Sequence, residues 1–398
     1  MNSKLTAEEK QELLELEKSG AVSVKKHPTE DLYLYSYTRD YVRSPNEQRW
    51  RNKLLNQCRG LIVDGKGNVV ARPFPKFFNY EELEKYYEPG EVDSLIAGKF
   101  PQFWEKIDGS LGILYWKSDG TPALCTRNSW TSDQAIRGTE MLNNRPFYKD
   151  YISKLRKDRT YLFEIVYPEN RIIVDYGKKE MLYLLAVIDT ETGMEYGFGP
   201  SYASNRDVNP GFPVPMQYDV GSLGWQQCRE FFQNRDNREG IVVRFVDTPN
   251  YGHVFRVKMK FKEYFELNFA KGKITKENLL KILCGQNPEK ELLELRAGLE
   301  AISSSGAEEM DIQLCRYLDE LEAEWMKIAE KIVQAWKPLG EFANKLDWAT
   351  YLKDTGYSGV LFRCSKEERP SVQSLRNDRT IFRQIYKLVA EQNTGENK

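Results

Sequence analysis

The chain has 398 residues, 40% of them hydrophobic and 29% charged, with a formal net charge of −1. That size allows roughly two to three domains with sizeable cores, and the balance of charge excludes a global basic field while leaving room for local cationic clusters. Residues 1–10 lack the apolar core of a signal peptide, no run of about 18 apolar residues occurs, and Cys58, Cys125, Cys228, Cys284, Cys315 and Cys364 are scattered without a Cys-x-x-Cys pair.

The expectation is a soluble, cytoplasmic protein with reduced thiols and no membrane partner. His27 and His253 are the only histidines, which argues against histidine relays and places any metal on oxygen ligands, as magnesium prefers.

Thr6 and Glu9 are spaced as a capping box, so residues 5–18 are expected to form an amphipathic helix that stops at Gly20. Strands then dominate. Residues 31–37 alternate; 60–63 and 69–72 flank an Asp64-Gly65-Lys66-Gly67 turn; 112–116 and 123–126 flank Asp119-Gly120. Further strands are expected at 161–167, 181–188, 240–246 and 253–258, the last two joined by a turn over 247–252, with helices at 133–142 and 224–233. Beyond residue 270 the apolar period becomes helical, over 291–302 and 312–336. Ser303-Ser304-Ser305-Gly306 is a break, 359–362 is strand-like, and 393–398 is expected to fray. The fold class is α+β: an antiparallel-sheet domain over 1–270 followed by a mostly helical domain over 271–398.

Lys106-Ile107-Asp108-Gly109-Ser110 reads as a turn feeding the strand that starts near Leu111. A lysine there is placed over a pocket, and nearby cations or desolvation can free its lone pair for attack. The chain has neither a Gly-x-x-x-x-Gly-Lys-Ser/Thr loop nor a Gly-x-Gly-x-x-Gly turn, so bound phosphates must be held mainly by side chains. The candidates are Arg59, Arg72, Lys76, Lys258 and Lys260, the last two sharing a face if their strand persists. Glu164, inside an apolar strand, and Glu239, beside Gly240, need a metal ion, a ribose hydroxyl or a lysine as partner if buried. Phe77 and Phe78 are candidates for stacking on a base, with core packing the default for adjacent aromatics. Arg369, Arg376, Arg379, Arg383 and Lys387 read as a solvated helix face, with an RNA-facing stripe as the alternative.

In this order, Cys58-Arg59-Gly60, Arg72-Pro73 through Lys76-Phe77-Phe78-Asn79, Lys106 to Leu111, Phe163-Glu164, Glu239-Gly240 and Lys258-x-Lys260 resemble the covalent nucleotidyltransferases. The closest pattern is the RNA ligase 1 family of T-even bacteriophages. The resemblance covers about residues 30 to 265 and implies an ATP-grasp-like ligase domain acting with ATP and Mg2+, or Mn2+ as a substitute. By it, Lys106 attacks the α-phosphorus of ATP, AMP passes from the lysine to an RNA 5′-phosphate, and a 3′-hydroxyl seals the strand. Arg59 and Lys76 would contact the ATP phosphates or magnesium-bound pyrophosphate. Lys258 and Lys260 would grip the α-phosphate and help keep Lys106 deprotonated. Glu164 would meet ribose or metal-bound water, and Glu239 a metal or the lysine; Asp108 and Gly109 would shape the nucleophile's loop. Arg127 and Tyr264 match further family positions, and Phe78 stays a candidate base-stacking residue.

The resemblance implies RNA as partner, single-stranded or nicked as in an anticodon loop, with RNA (tRNA) repair as the setting, a virus as one source, and substrate specificity in the helical domain. A non-catalytic RNA-binding protein on the same fold, or a DNA ligase or capping-type nucleotidyltransferase, is the alternative. The helical periodicity beyond 275, where those enzymes carry a small β-barrel, argues against the latter.

Overall fold

The computed structural model describes residues 4–43, 50–197, 207–221, 227–228, 237–247, 251–300, 305–364 and 368–395. The chain divides into two compact units, Met1–Tyr264 and Phe265–Lys398.

The first unit opens with the helix Ala7–Lys18, whose Thr6 and Glu9 form the reciprocal capping box. Its strands follow in chain order: β1 Val22–Lys26, β2 Leu32–Tyr37, β3 Arg59–Asp64, β4 Val69–Ala71, β5 Phe78–Asn79, β6 Phe100–Lys106, β7 Ser110–Trp116 and β8 Pro122–Thr126. After them come β9 Arg159–Val166, β10 Met181–Asp189, β11 Glu195–Tyr196, β12 Gln217–Tyr218, β13 Gly240–Val246, β14 Tyr251–Gly252 and β15 Val254–Lys260. They build three sheets, ordered β1-β2-β3-β4, β14-β11-β10-β9-β7-β8 and β12-β6-β13-β15-β5. Every strand pair is antiparallel except β15 with β5.

Alternation along β13 explains how the third sheet serves two purposes. Ile241, Val243 and Phe245 join a core with Leu61, Val63, Phe78, Phe103 and Met259, while Val242 and Arg244 line a cavity on the opposite face. The second sheet buries Leu114, Leu124, Leu162 and Leu184 against Met141, Leu142 and Tyr148 of two covering helices. The three hairpins expected from turn residues are present as β3–β4, β7–β8 and β13–β15. Strand β6 was not expected, because Pro101 and mixed polarity hide its period. Part of the 247–252 turn and most of the helix expected at 224–233 lie outside the described residues.

The second unit is helical, with Lys276–Leu283, Pro288–Glu300, Ser305–Ala335, Lys345–Asp354 and Arg379–Gly395 as its main elements. Trp325, Leu321, Ile332, Leu352 and Ile385 form its core. Residues 358–361 are helical, correcting the strand expected at 359–362. A short apolar run suits either state, and here Val360 and Leu361 are buried among helices. Of the stretch expected to fray, 393–395 continue the last helix, with Asn393 tied to Glu324 at 2.9 Å, and 396–398 lie outside the described residues. Among the described residues no helix is long and apolar enough to cross a membrane.

Candidate active site

Lys106 is the last residue of β6, and Ile107-Asp108-Gly109 carries the chain from the third sheet into β7 of the second. The lysine therefore stands at the seam between two sheets. Register does the rest: Gly240 of β13 is paired with Lys106 on one side and Lys260 on the other, and Val242 sits between Trp104 and Lys258. Residues far apart in sequence thus share one sheet face by strand pairing alone. Gly240 is needed there, since its φ is +156° and a Cβ would lie 2.1 Å from the Met259 carbonyl oxygen.

Between the two sheets lies a cavity of about 300 Å³. Arg59, Phe77, Lys106, Gly109, Glu164, Glu239, Lys258 and Lys260 line it together with Trp104, Glu105, Leu185, Pro215, Arg244 and Arg256. The first eight of these residues were read from separated segments of the sequence. Trp104, Arg244 and Arg256 were missed, although two-residue steps back from Lys106 and Lys258, or forward from Val242, lead to them.

Glu239, only 4% exposed, holds both flanking lysines: Lys106 Nζ lies 2.5 Å from one oxygen and Lys260 Nζ 3.0 Å from the other. Burial alone would lower the pKa of Lys106, but Glu239 and then Glu164 outweigh it, so the ammonium form is favoured beyond the ordinary lysine range. This corrects the expectation that Lys258 and Lys260 keep Lys106 deprotonated. The carboxylates dominate its environment. The depressed lysine is Lys258, pulled down to about 7 by burial and by Lys76, Lys106 and Arg59. Burial pushes Glu164 up to about 8, against the pull of Lys106.

Asp108 is turned away from the cavity and ties down the loop that follows Lys106. Its carboxylate accepts the amides of Ile173 and Val174 at 2.8 and 2.9 Å and the Tyr264 hydroxyl at 2.8 Å, while its own amide donates to the Tyr176 oxygen at 2.8 Å. Tyr264 also lies under Lys260, whose Nζ is 4.6 Å from the ring centre. At Gly109 a Cβ would lie 2.7 Å from the Ile165 carbonyl oxygen, so the loop can rest against β9 only as glycine.

Lys76 is outside the cavity lining, within 5.1 Å of the Phe78 ring centre, 5.4 Å of Trp50 and 6.0 Å of Tyr37. Arg127 lies 4.8 Å over Tyr37. Although burial pushes the Tyr37 phenol up, Arg59, Lys76 and Arg127 hold it below its ordinary value. Phe78 is corrected from candidate base-stacker to core residue: it is 3% exposed and stacked on Tyr86 at 4.0 Å. Phe77, pointing the other way along the chain, faces the cavity.

Among the described residues, Arg59, Lys76, Arg127 and Lys258 form no ion pair. Four neighbouring cations without counter-charge, next to a lysine at a cavity rim, form a place for a polyanion.

The family model for RNA ligases of the T4 RNA ligase 1 type, described as RNA ligase, matches residues 57–265, just over half of the chain. The chain belongs to this family. It is 28% identical over 225 residues to a protein of Thermovibrio ammonificans named "Putative RNA ligase", covering 56% of each. It is 27% identical over 272 residues to the RNA ligase of Rhodothermus phage RM378, covering 56% of this chain and 62% of the relative. The chain thus spans little more than half the length of these relatives. Among solved structures, it is similar to an archaeal ATP-dependent RNA ligase at 12% identity and a TM-score of 0.44, covering 79% of both chains.

Proposed function

We propose that the chain is an ATP-dependent RNA ligase that works through a lysyl-AMP intermediate on Lys106 and joins a 5′-phosphate to a 3′-hydroxyl. The carrying observation is the Lys106–Glu239–Lys260 cluster at the rim of a cavity whose neighbouring cations Arg59 and Lys258 lack counter-charges. The Nζ lone pair attacks the α-phosphorus, the bond from that phosphorus to the bridging oxygen breaks, pyrophosphate leaves and the ammonium's proton is released. An oxygen of the RNA 5′-phosphate then attacks the AMP phosphorus, the P–N bond breaks, and Nζ takes up a proton. The 3′-hydroxyl oxygen then attacks the activated 5′-phosphate, the phosphoanhydride bond to AMP breaks, AMP leaves and the hydroxyl proton is released to solvent. Each step spreads negative charge, which Arg59, Lys258 and Lys260 are placed to neutralise.

Magnesium suits this site as an ion carried in with the triphosphate. Among the described residues no three His, Cys, Asp or Glu side chains form a ligand set, and both Glu239 oxygens face lysines. Glu164, which forms no ion pair among the described residues, would be the protein ligand once the ion's charge displaces the proton that burial favours, the phosphates supplying the remaining oxygens. The ion would screen the leaving pyrophosphate.

In the same reading, residues 1–270 carry adenylyl transfer and 271–398 select the RNA, with breaks in tRNA among the candidate substrates. The test is incubation with α-labelled ATP or GTP and magnesium, followed by denaturing electrophoresis and then supply of 5′-phosphorylated RNA. Label retained on the protein from ATP and chased by RNA is expected. No label would favour an RNA-binding protein that keeps the fold without the reaction, and label from GTP a capping-type enzyme.

A further inference from the structure

Within the helical unit a cavity of about 630 Å³ lies between the link from helix Lys276–Leu283 to helix Pro288–Glu300 and the start of helix Arg379–Gly395. Lys290, Arg376, Arg379 and Arg383 reach it from two separate segments, Glu289 and Glu322 share its wall, and half-buried Phe382 adds aromatic surface, its ring centre 5.0 Å from that of buried Tyr386. The arginine-rich stretch that reads in sequence as a solvated face is thereby divided. Three of its cations line a concave surface, while Lys387 and Arg369 do not, the latter donating to the Val333 carbonyl at 2.9 Å.

Two of the groove's cations are held in place. Arg376 lies 2.5 Å from a Glu322 oxygen and 5.4 Å over the Trp325 ring, and Arg383 donates to the Gln286 carbonyl at 2.7 Å. Arg379 and Arg383 have no carboxylate partner among the described residues. Being one helical turn apart, they are offset by about 6 Å along the axis, a step comparable to that between successive phosphates of an extended strand. Guanidinium groups at that interval beside aromatic rings suit a sugar-phosphate backbone whose bases can stack.

We propose that this groove binds the backbone of single-stranded RNA, with Arg379 and Arg383 on neighbouring phosphates and Phe382 against a base. The choice of RNA as the polymer rests on the ligase reading above; the charge and shape of the groove do not. The test measures equilibrium binding of a fluorescent, 5′-phosphorylated single-stranded RNA to the full chain by anisotropy across a salt series.

Arg379→Glu with Arg383→Glu is expected to weaken binding by about an order of magnitude and to reduce the slope of log K against log salt by about 0.7 per lost phosphate contact. Arg379→Gln with Arg383→Gln should move both quantities in the same direction by less. Arg369→Glu, outside the groove, should leave both near the unmodified values. A double variant with unchanged slope, or an equal loss in Arg369→Glu, would overturn the proposal. Self-labelling with ATP is expected to be unaffected by the groove variants, and it separates the two readings: failure of the unmodified chain to label bears on the ligase reading, whereas the binding series bears on the groove.

Discussion

The two ends of the cavity stand on the same three strands, yet they handle charge in opposite ways. At one end Lys106, Gly240 and Lys260 lie side by side; four residues along, about 13 Å away, Gln102, Arg244 and Arg256 occupy the same register. At the far end Glu195 of β11 is bonded to Arg256 and lies 3.2 Å from Arg244, all three about 5% exposed. Glu195 is held below its ordinary value by the two arginines despite burial, and burial pulls Arg244 down to about 10. Both arginines there share one internal carboxylate, a closed contact that joins the second sheet to the third. Near Lys106, Arg59 and Lys258 have no such closure. Cations that the fold compensates brace the structure, and cations that it leaves uncompensated await a ligand.

The most severe test removes the proposed nucleophile. Lys106→Ala should abolish the protein–AMP adduct completely while leaving the chain folded, because Glu239 keeps Lys260 as its ion-pair partner. Full labelling of that variant would show that another residue carries the AMP. At the closed end the effect should appear in stability instead. Glu195→Ala strands two buried guanidinium groups and is expected to lose about 3–5 kcal/mol in denaturant unfolding. A loss below about 1 kcal/mol, the range of a surface pair, would mean that the two ends do not differ as described.

Lys258→Met sharpens the contrast further, since it should damage function and improve the fold. Loss of one phosphate-facing cation is expected to slow adenylylation by about 10²–10³-fold. Because the folded-state pKa of Lys258 is lowered to about 7, protonating it penalises the native state. That penalty grows as pH falls from the unfolded lysine value toward 7 and is constant below it. The variant should therefore melt higher than the parent, by more at pH 6 than at pH 10. A lower melting temperature at pH 6 would mean that Lys258 is compensated after all.

This asymmetry was only half legible in the sequence. Turn residues revealed the hairpins, and the spacing of Lys258 and Lys260 placed both on one face, as found. The bracing end was hidden, because Glu195, Arg244 and Arg256 look like ordinary surface residues until tertiary burial brings them together. Phe77 and Phe78 show the same limit: only packing decides which neighbour faces the cavity and which the core. For Asp108, the family resemblance implied a loop-shaping role, but its partners Ile173, Val174 and Tyr176 carry no motif.

The smallest expected change concerns the proton on Lys106. Its pKa is raised because Glu239 and Glu164 outweigh the lowering effect of burial, so the fraction of neutral, nucleophilic amine should increase with pH, and adenylylation should accelerate from neutral into alkaline solution. Glu239→Gln removes the nearest carboxylate. Burial and the remaining cations then favour the neutral amine, and the rising limb of the pH–rate profile should move toward lower pH even if the maximum rate falls through looser positioning. Single-turnover labelling over a pH series separates the two effects, the limb reporting protonation and the plateau reporting geometry. If the limb stays in place when Glu239 is neutralised, the 2.5 Å contact orients Lys106 without governing its charge, and Glu164 becomes the carboxylate to neutralise next.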